Sequence, residues 1–235
     1  TEATGEIILF TDANSMFQPD MLLQLVKNFS DSSIGLVSGW TKYLNSESGA
    51  ETTGLYAKLE KITKIYESAV SSCVGADGAI FAIRKELYVP LGNNDINDFI
   101  IPLNVVKNGK RAILDKNVFC LEEETQGLKN IYNRQVRITT RTAWAIRRNI
   151  DMLNMSEYGS FSFFLMSHKV LRLLTPFFFV CTFLINLCVL FRSPFFIVTF
   201  VTQLFFVSAG LFSIYYKTEN RLFSICKYFL ITFSA

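Results

Sequence analysis

Histidine is nearly absent from this chain, and its cysteines are scattered. There is one histidine in 235 residues, His168, and the five cysteines (Cys73, Cys120, Cys181, Cys188, Cys226) show neither paired nor metal-ligand spacing. This excludes a disulfide framework and a Cys/His zinc centre, and leaves the cysteines as reduced, buried apolar filler. His168, within Ser167-His168-Lys169, reads as an interfacial structural residue rather than a ligand. Charge is missing from one end: beyond Leu171 the only charged side chains are Arg172, Arg192, Lys217, Glu219, Arg221 and Lys227. A net charge of +3 with 50% hydrophobic residues is therefore the average of two unlike parts. The chain also lacks an initiator methionine and runs at once into a buried-strand pattern. It is expected to be a fragment of something longer, so a signal peptide is not assessed.

Two uncharged runs, 173–191 and 194–216, each approach the ~20 residues that a helix needs to cross a bilayer. Arg192 at the centre of one long span would cost about 2.5–3.5 kcal/mol, so Arg192, Ser193 and Pro194 are expected to form a tight turn between two crossings. A third apolar run from residue 222 carries Lys227 near its start and reaches residue 235 before it is long enough to cross. Basic residues flank the pair: Arg147, Arg148, Lys169 and Arg172 before it, Lys217 and Arg221 after it, with Arg192 alone between. That asymmetry predicts a cytoplasmic N-terminal domain.

Before the spans the chain mixes charges, turns and apolar runs as a soluble α/β domain does. Residues 6–11 read as a fully buried parallel strand ended by Asp12, Ala13 and Asn14, where the ligand crevice of an open α/β sheet is expected. Pro19 opens a helix containing Leu22, Leu25, Val26 and Phe29, and residues 34–38, closed by Gly39, complete a βαβ unit. Leu55, Leu59, Ile62, Tyr66 and Ala69 mark an amphipathic helix packed through that stripe, with Lys58, Lys61 and Lys64 opposite. Gly75, Ala76, Asp77 and Gly78 form a turn before a strand over 79–83, and two glycines about an acid let a backbone approach a ligand. Asp98 is placed to cap a helix that ends at Asn108 and Gly109. A strand over 111–114 follows, and Glu122, Glu123 and Glu124 read as a solvated loop. Arg134, Arg137, Arg141 and Arg148 share one helix face that wants anions. Spacing alone leaves open whether these are lipid headgroups or a diphosphate. Nucleic acid is excluded as a partner, because the stripe precedes a membrane span and lacks interleaved aromatic platforms.

The stretches TGEIILFTDANS (4–15), VSGW (37–40), GADGAIFAIRKELY (75–88), INDFIIPLNVVKNGKRAILD (96–115), RQVRITTRT (134–142) and SHKVLR (167–172) come in order before the membrane spans. Together they resemble the family-2 glycosyltransferases with membrane-spanning C-termini, the group of cellulose, chitin, hyaluronan and poly-N-acetylglucosamine synthases. The resemblance implies an α/β fold: a partial GT-A, Rossmann-like domain over 1–130, an interfacial helical segment over 131–172 and transmembrane helices over 173–235. It implies that Asp12 and Asn14 match the DxD motif that holds Mg²⁺ or Mn²⁺ on the donor diphosphate, with an amide in place of the last acid. It makes Asp98 the general base, with Asn97 in place of the neighbouring acid, and one base on one face implies inversion. Arg134 and Arg137 match the QxxRW motif as diphosphate ligands, with Ile138 where the processive synthases carry Trp; Trp144 nearby offers a stacking face. Gly75, Asp77 and Gly78 match the segment beside the donor and acceptor sugars.

The implied activity is that of a hexosyl- or N-acetylhexosaminyl-transferase. It moves a sugar from a nucleotide-sugar donor, expected to be a UDP-sugar, to a glycan hydroxyl at the cytoplasmic face of the cell membrane. The lipid bilayer is a partner, and there is room for a partner subunit. Two alternatives stand beside it: transfer of a single sugar to a lipid or polyprenyl phosphate, which the missing Trp favours, and a non-catalytic membrane scaffold. The first half of a GT-A domain is not in this sequence, so the chain by itself is expected to be incompetent and to aggregate through apolar edge strands.

Overall fold

The computed structural model describes residues 3–44, 54–123, 127–216 and 221–234. They form two units, Thr1–Thr125 with Arg141–Lys169 and Gln126–Thr140 with Val170–Ala235. The described residues are mixed α/β, with one five-stranded mixed sheet and two helices long and apolar enough to span a membrane.

The sheet lies in the first unit. Its strands β1 (Ile7–Thr11), β2 (Met16–Phe17), β3 (Ile34–Leu44), β4 (Ile80–Arg84) and β5 (Arg111–Glu123) are ordered β1-β4-β3-β5-β2. β3 and β5 are parallel, whereas β4 runs antiparallel to both β1 and β3. β1, β3 and β5 therefore share a direction, and their carboxyl ends lie at one end of the sheet. Consecutive residues of β3 and β4 alternate between two cores, as the period of 2 requires. Val37, Ile80 and Ala82 pack with Met21 and Leu25 of α1 (Met21–Val26) on one face. Leu36, Phe81 and Ile83 pack with Ile101 and Val105 of α3 (Asn97–Lys107) on the other.

Several expectations are corrected. β1 is half-buried and pairs antiparallel with β4 alone, so it is not a fully buried parallel strand. As an end strand of the order, it has one covered edge among the described residues. β1 and β3 are parallel, but β4 lies between them, so they are not the neighbours of a simple βαβ unit. Pro19 precedes the N-cap residue Asp20 instead of opening the helix. β3 continues through Gly39, where the register with β5 shifts; a Cβ there would lie 2.7 Å from the Val118 carbonyl oxygen and 2.9 Å from Ile80 Cγ2. Glycine at 39 is thus a packing requirement, not a stop. β5 runs far beyond Leu114, which makes Glu122 and Glu123 strand residues; Glu124 lies outside the described residues.

The helix α2 (Leu55–Val70) forms where its periodicity places it, but it packs through the opposite face. Leu59, Ile62, Tyr66 and Val70 are exposed, while Glu67 and Ser68 are buried and the Lys64 side chain is only 12% exposed. The reason is polar satisfaction. Ser68 Oγ accepts from the Leu114 amide at 2.8 Å, Glu67 Oε2 accepts from the Val74 amide at 3.0 Å, and Arg111 Nε donates to the Ser71 carbonyl at 3.0 Å. An unpaired buried amide would cost about 1–3 kcal/mol, so the polar stripe of α2 goes inward. For Leu55 only the backbone is described.

After α4 (Leu128–Arg148), which begins in the second unit, the short helices α5 (Met155–Tyr158) and α6 (Ser160–Leu165) lead into a π-helical turn, Met166–Val170. The second unit continues with α7 (Leu171–Val189), α8 (Pro194–Tyr216) and α9 (Arg221–Ser234). The continuous helical stretch Ser160–Val189 and the helix Pro194–Tyr216 meet the length and composition of membrane spans. Only 6% and 11% of their most apolar windows are buried, which is not how core helices sit. Arg192 to Pro194 is the expected turn, closed by a bond from the Arg192 amide to the Val189 carbonyl at 2.9 Å. Between α7 and α8, Asn186 Nδ2 donates to Gln203 Oε1 at 2.9 Å. α9 approaches α8 closely at Gly210, where a Cβ would meet Leu230 Cδ1 at 2.5 Å and the Cys226 carbonyl at 2.8 Å. Lys217 and Glu219 lie outside the described residues, as does the Arg221 side chain.

Candidate functional site

The turn before β4 wraps the start of α3. Gly75 has φ +86°, a left-handed conformation that only glycine adopts without strain. It aims the Ala76 amide at the Asp98 carbonyl, 2.6 Å away. That carbonyl is available because its intrahelical donor would be residue 102, and Pro102 has no N–H. Gly78 then leaves space beside the carboxylate, since a Cβ there would stand 3.3 Å from Asp98 Oδ2.

Asp98 does not cap α3. The N-cap is Ile96, which contributes no side-chain bond, and the Asn97 side-chain oxygen accepts the Asp98 amide at 2.8 Å. Asn97 thereby frees the Asp98 carboxylate to turn toward Gly78. Its Oδ1 is buried with no hydrogen-bond partner among the described residues, a condition that costs about 1–3 kcal/mol and is rare outside working sites. Burial raises the Asp98 carboxyl above the ordinary range; Lys169 and then Lys64 oppose this, and Asp77 and Glu60 reinforce it.

Asp77 is held from three sides. Its Oδ2 accepts from the Thr41 amide at 2.8 Å, and its Oδ1 from Thr41 Oγ1 at 2.9 Å and the Ala79 amide at 3.1 Å. Its own amide donates to Ser38 Oγ at 2.8 Å. Burial raises its carboxyl as well, against the pull of Lys64 and these donors. Lys64 reaches the Ala76 carbonyl at 3.3 Å and Glu60 at 3.3 Å. Burial alone would pull its ammonium down, but Glu60, Asp77 and Cys73 together hold it above the usual lysine value.

Asp12 follows Thr11, which registers with Ile80 of β4, so Asp12 lies at the same end of the sheet as the Asp77 turn. Asp12 and Asn14 are exposed, and neither side chain has a partner among the described residues. A carboxylate and an amide oxygen two residues apart at an exposed turn fit two positions of a hard divalent cation, the remainder being open to ligand oxygens. Asp12 and the Gly75–Gly78 turn, which contacts Asp98, thus lie at one end of the sheet. Arg134 and Arg137 are exposed on α4 in the second unit. Of the arginine stripe, Arg148 already has an anion, since it pairs with Asp95 at 2.8 Å. Trp144 is 43% exposed.

Lys64, Glu67, His168 and Lys169 were not singled out as site residues by sequence. Glu67 Oε1 contacts His168 Nδ1, and Lys169 Nζ lies 5.2 Å from the Phe99 ring centre and 3.8 Å from where a Gly75 Cβ would be. His168 has a buried glutamate as its partner. The one available signal was the polar series Glu60, Lys64, Glu67 and Ser68, which is itself helically spaced. No family model matches the chain, and no curated protein matches it.

Proposed function

We propose that this protein is a membrane-bound inverting glycosyltransferase of the family-2, GT-A kind, acting at the cytoplasmic membrane face on a nucleotide-sugar donor. The observation that supports it best is the Asp98 carboxylate, buried beside Gly78, with one oxygen lacking a partner among the described residues and with Lys169 and Lys64 opposing the effect of burial. Burial makes such a group a stronger base than a surface aspartate, while the lysines favour the charged form that accepts a proton. In the proposed reaction an acceptor hydroxyl oxygen bonds to the anomeric carbon as its proton passes to Asp98. The bond from that carbon to the diphosphate breaks, and its electron pair leaves with the nucleotide. Asp12 and Asn14 would hold Mg²⁺ or Mn²⁺, which supplies charge stabilisation to the departing diphosphate. Arg134 and Arg137 are proposed as further diphosphate ligands.

The membrane reading rests on the two apolar helices, with multi-pass topology and orientation inferred from flanking arginines and lysines. Transfer of one sugar to a lipid or polyprenyl phosphate is the second reading, favoured by Ile138 in place of Trp. A non-catalytic scaffold is the third; it gives no reason to keep a buried carboxylate oxygen unpaired. The test uses the full-length protein in membrane vesicles, offered a panel of UDP-sugars with Mg²⁺ or Mn²⁺. Metal-dependent nucleoside diphosphate release with one donor, and product size, establish the reaction and separate polymer from single transfer. No release with any donor sinks the transferase reading.

A further inference from the structure

The π-helical turn Met166–Val170 leads directly into α7, and all of it but Val170 belongs to the first unit. π turns inside α-helices are frequent at functional sites, because the wider ring re-aims successive side chains. Here two consecutive residues, His168 and Lys169, both contact other helices of the first unit. His168 meets the buried Glu67 of α2 and stacks on Phe164 with ring planes 4° apart, while Lys169 meets α3 over Phe99. A lysine at the start of an apolar span ordinarily extends toward headgroups. Lys169 instead ends beside Gly75, whose Cβ position is 3.4 Å from the Asp98 carbonyl. Glu67 is fixed in turn by the Val74 amide, one residue before Gly75. Within the first unit the π turn is thus tied to the turn that wraps Asp98.

We propose that this π turn is a working part of the Asp98 site: the Glu67–His168 contact pins it, and Lys169 is a positioning residue that keeps the Asp98 carboxylate charged and ready to accept a proton. The inference rests on reading Asp98 as the base. Four ionisable groups face Asp98: Lys169 from the π turn, Lys64 and Glu60 from α2, and Asp77 from the turn before β4. Of the two cations, Lys169 opposes the effect of burial on Asp98 more than Lys64 does.

The experiment uses the full-length protein in vesicles as wild type, Lys169→Met, Lys169→Arg and Glu67→Gln. One readout is the pH dependence of kcat/KM with the UDP-sugar panel. The other needs no activity: the pH midpoint at which a hydrophobic carbodiimide, which attacks protonated carboxyls, labels Asp98, read by mass spectrometry. Lys169→Met should move both the acidic limb and the labelling midpoint up by about one pH unit, as expected for losing a nearby opposite charge. Lys169→Arg should restore both, and Glu67→Gln should move them less in the same direction. A midpoint unchanged in Lys169→Met, or no better in Lys169→Arg, overturns the inference. If the midpoint moves while wild type transfers no sugar, the Lys169–Asp98 coupling holds and the transferase reading fails.

Discussion

Replacing Asp98 by asparagine perturbs the site with almost no change of shape, so its effects can be worked through. A positioned general base contributes about 10²–10⁴-fold, or about 2.7–5.5 kcal/mol of transition-state stabilisation at 1.36 kcal/mol per decade. Asp98→Asn should therefore lower kcat by at least ~100-fold, with the donor KM little changed. The same substitution has a pH signature in stability. Burial raises the folded Asp98 carboxyl above its unfolded value of about 3.9, so between the two values the folded state holds more protons and stability falls as pH rises. Below that window the charge is absent in both states; above it the cost of the buried charge is fully present. Asparagine cannot ionise, so the Tm of Asp98→Asn minus that of wild type should climb with pH across the window and then level off. Asp77 contributes with the same sign in both proteins, and its repulsion of the Asp98 charge is an added cost in the wild type alone. Melting curves in detergent from pH 3 to 8 and steady-state donor turnover would measure both effects. A variant that keeps its turnover, or a Tm difference flat across pH, would refute the argument.

Three other outcomes follow from the geometry. Thr41→Val removes the hydroxyl donor at 2.9 Å from Asp77 Oδ1 and should cost about 1.5–3 kcal/mol, seen as a lower denaturant midpoint above pH 7 that narrows on acidification. On α2, Leu59→Gln should change stability by less than about 0.5 kcal/mol, because Leu59 is 53% exposed. Glu67→Ala should cost roughly 1–3 kcal/mol by orphaning the Val74 amide; equal effects at the two positions would contradict the observed helix face. In the second unit, Gly210→Ala puts a methyl 2.8 Å from the Cys226 carbonyl and should destabilise the α8–α9 pair by about 1–3 kcal/mol, read as a lower Tm in micelles.

Local chemistry was enough to place the helices α2 and α3, the apolar spans and the turn at Arg192, because periodicity, capping residues and span length act over a few neighbouring residues. It also marks Asp12, which follows a strand, and Asp77, which lies in a glycine turn, whereas Asp98 reads locally as a cap and is a candidate only through the resemblance. What it could not decide was how these pieces combine. β4 between β1 and β3, and β5 running on past Leu114, are set by pairing partners more than 40 residues away. The face through which α2 packs was misread for the same reason: an apolar stripe predicts burial only if the surface opposite it is apolar. Here that surface offers the amides of Val74 and Leu114 and the Arg111 guanidinium, which demand Glu67, Ser68 and the helix's last carbonyls. The Asp98 site shows the same division. An aspartate at a helix start is legible one residue at a time, but its burial, its unpartnered oxygen and the lysines that face it come from α2, α3 and the π turn, and only their packing brings them to one carboxylate.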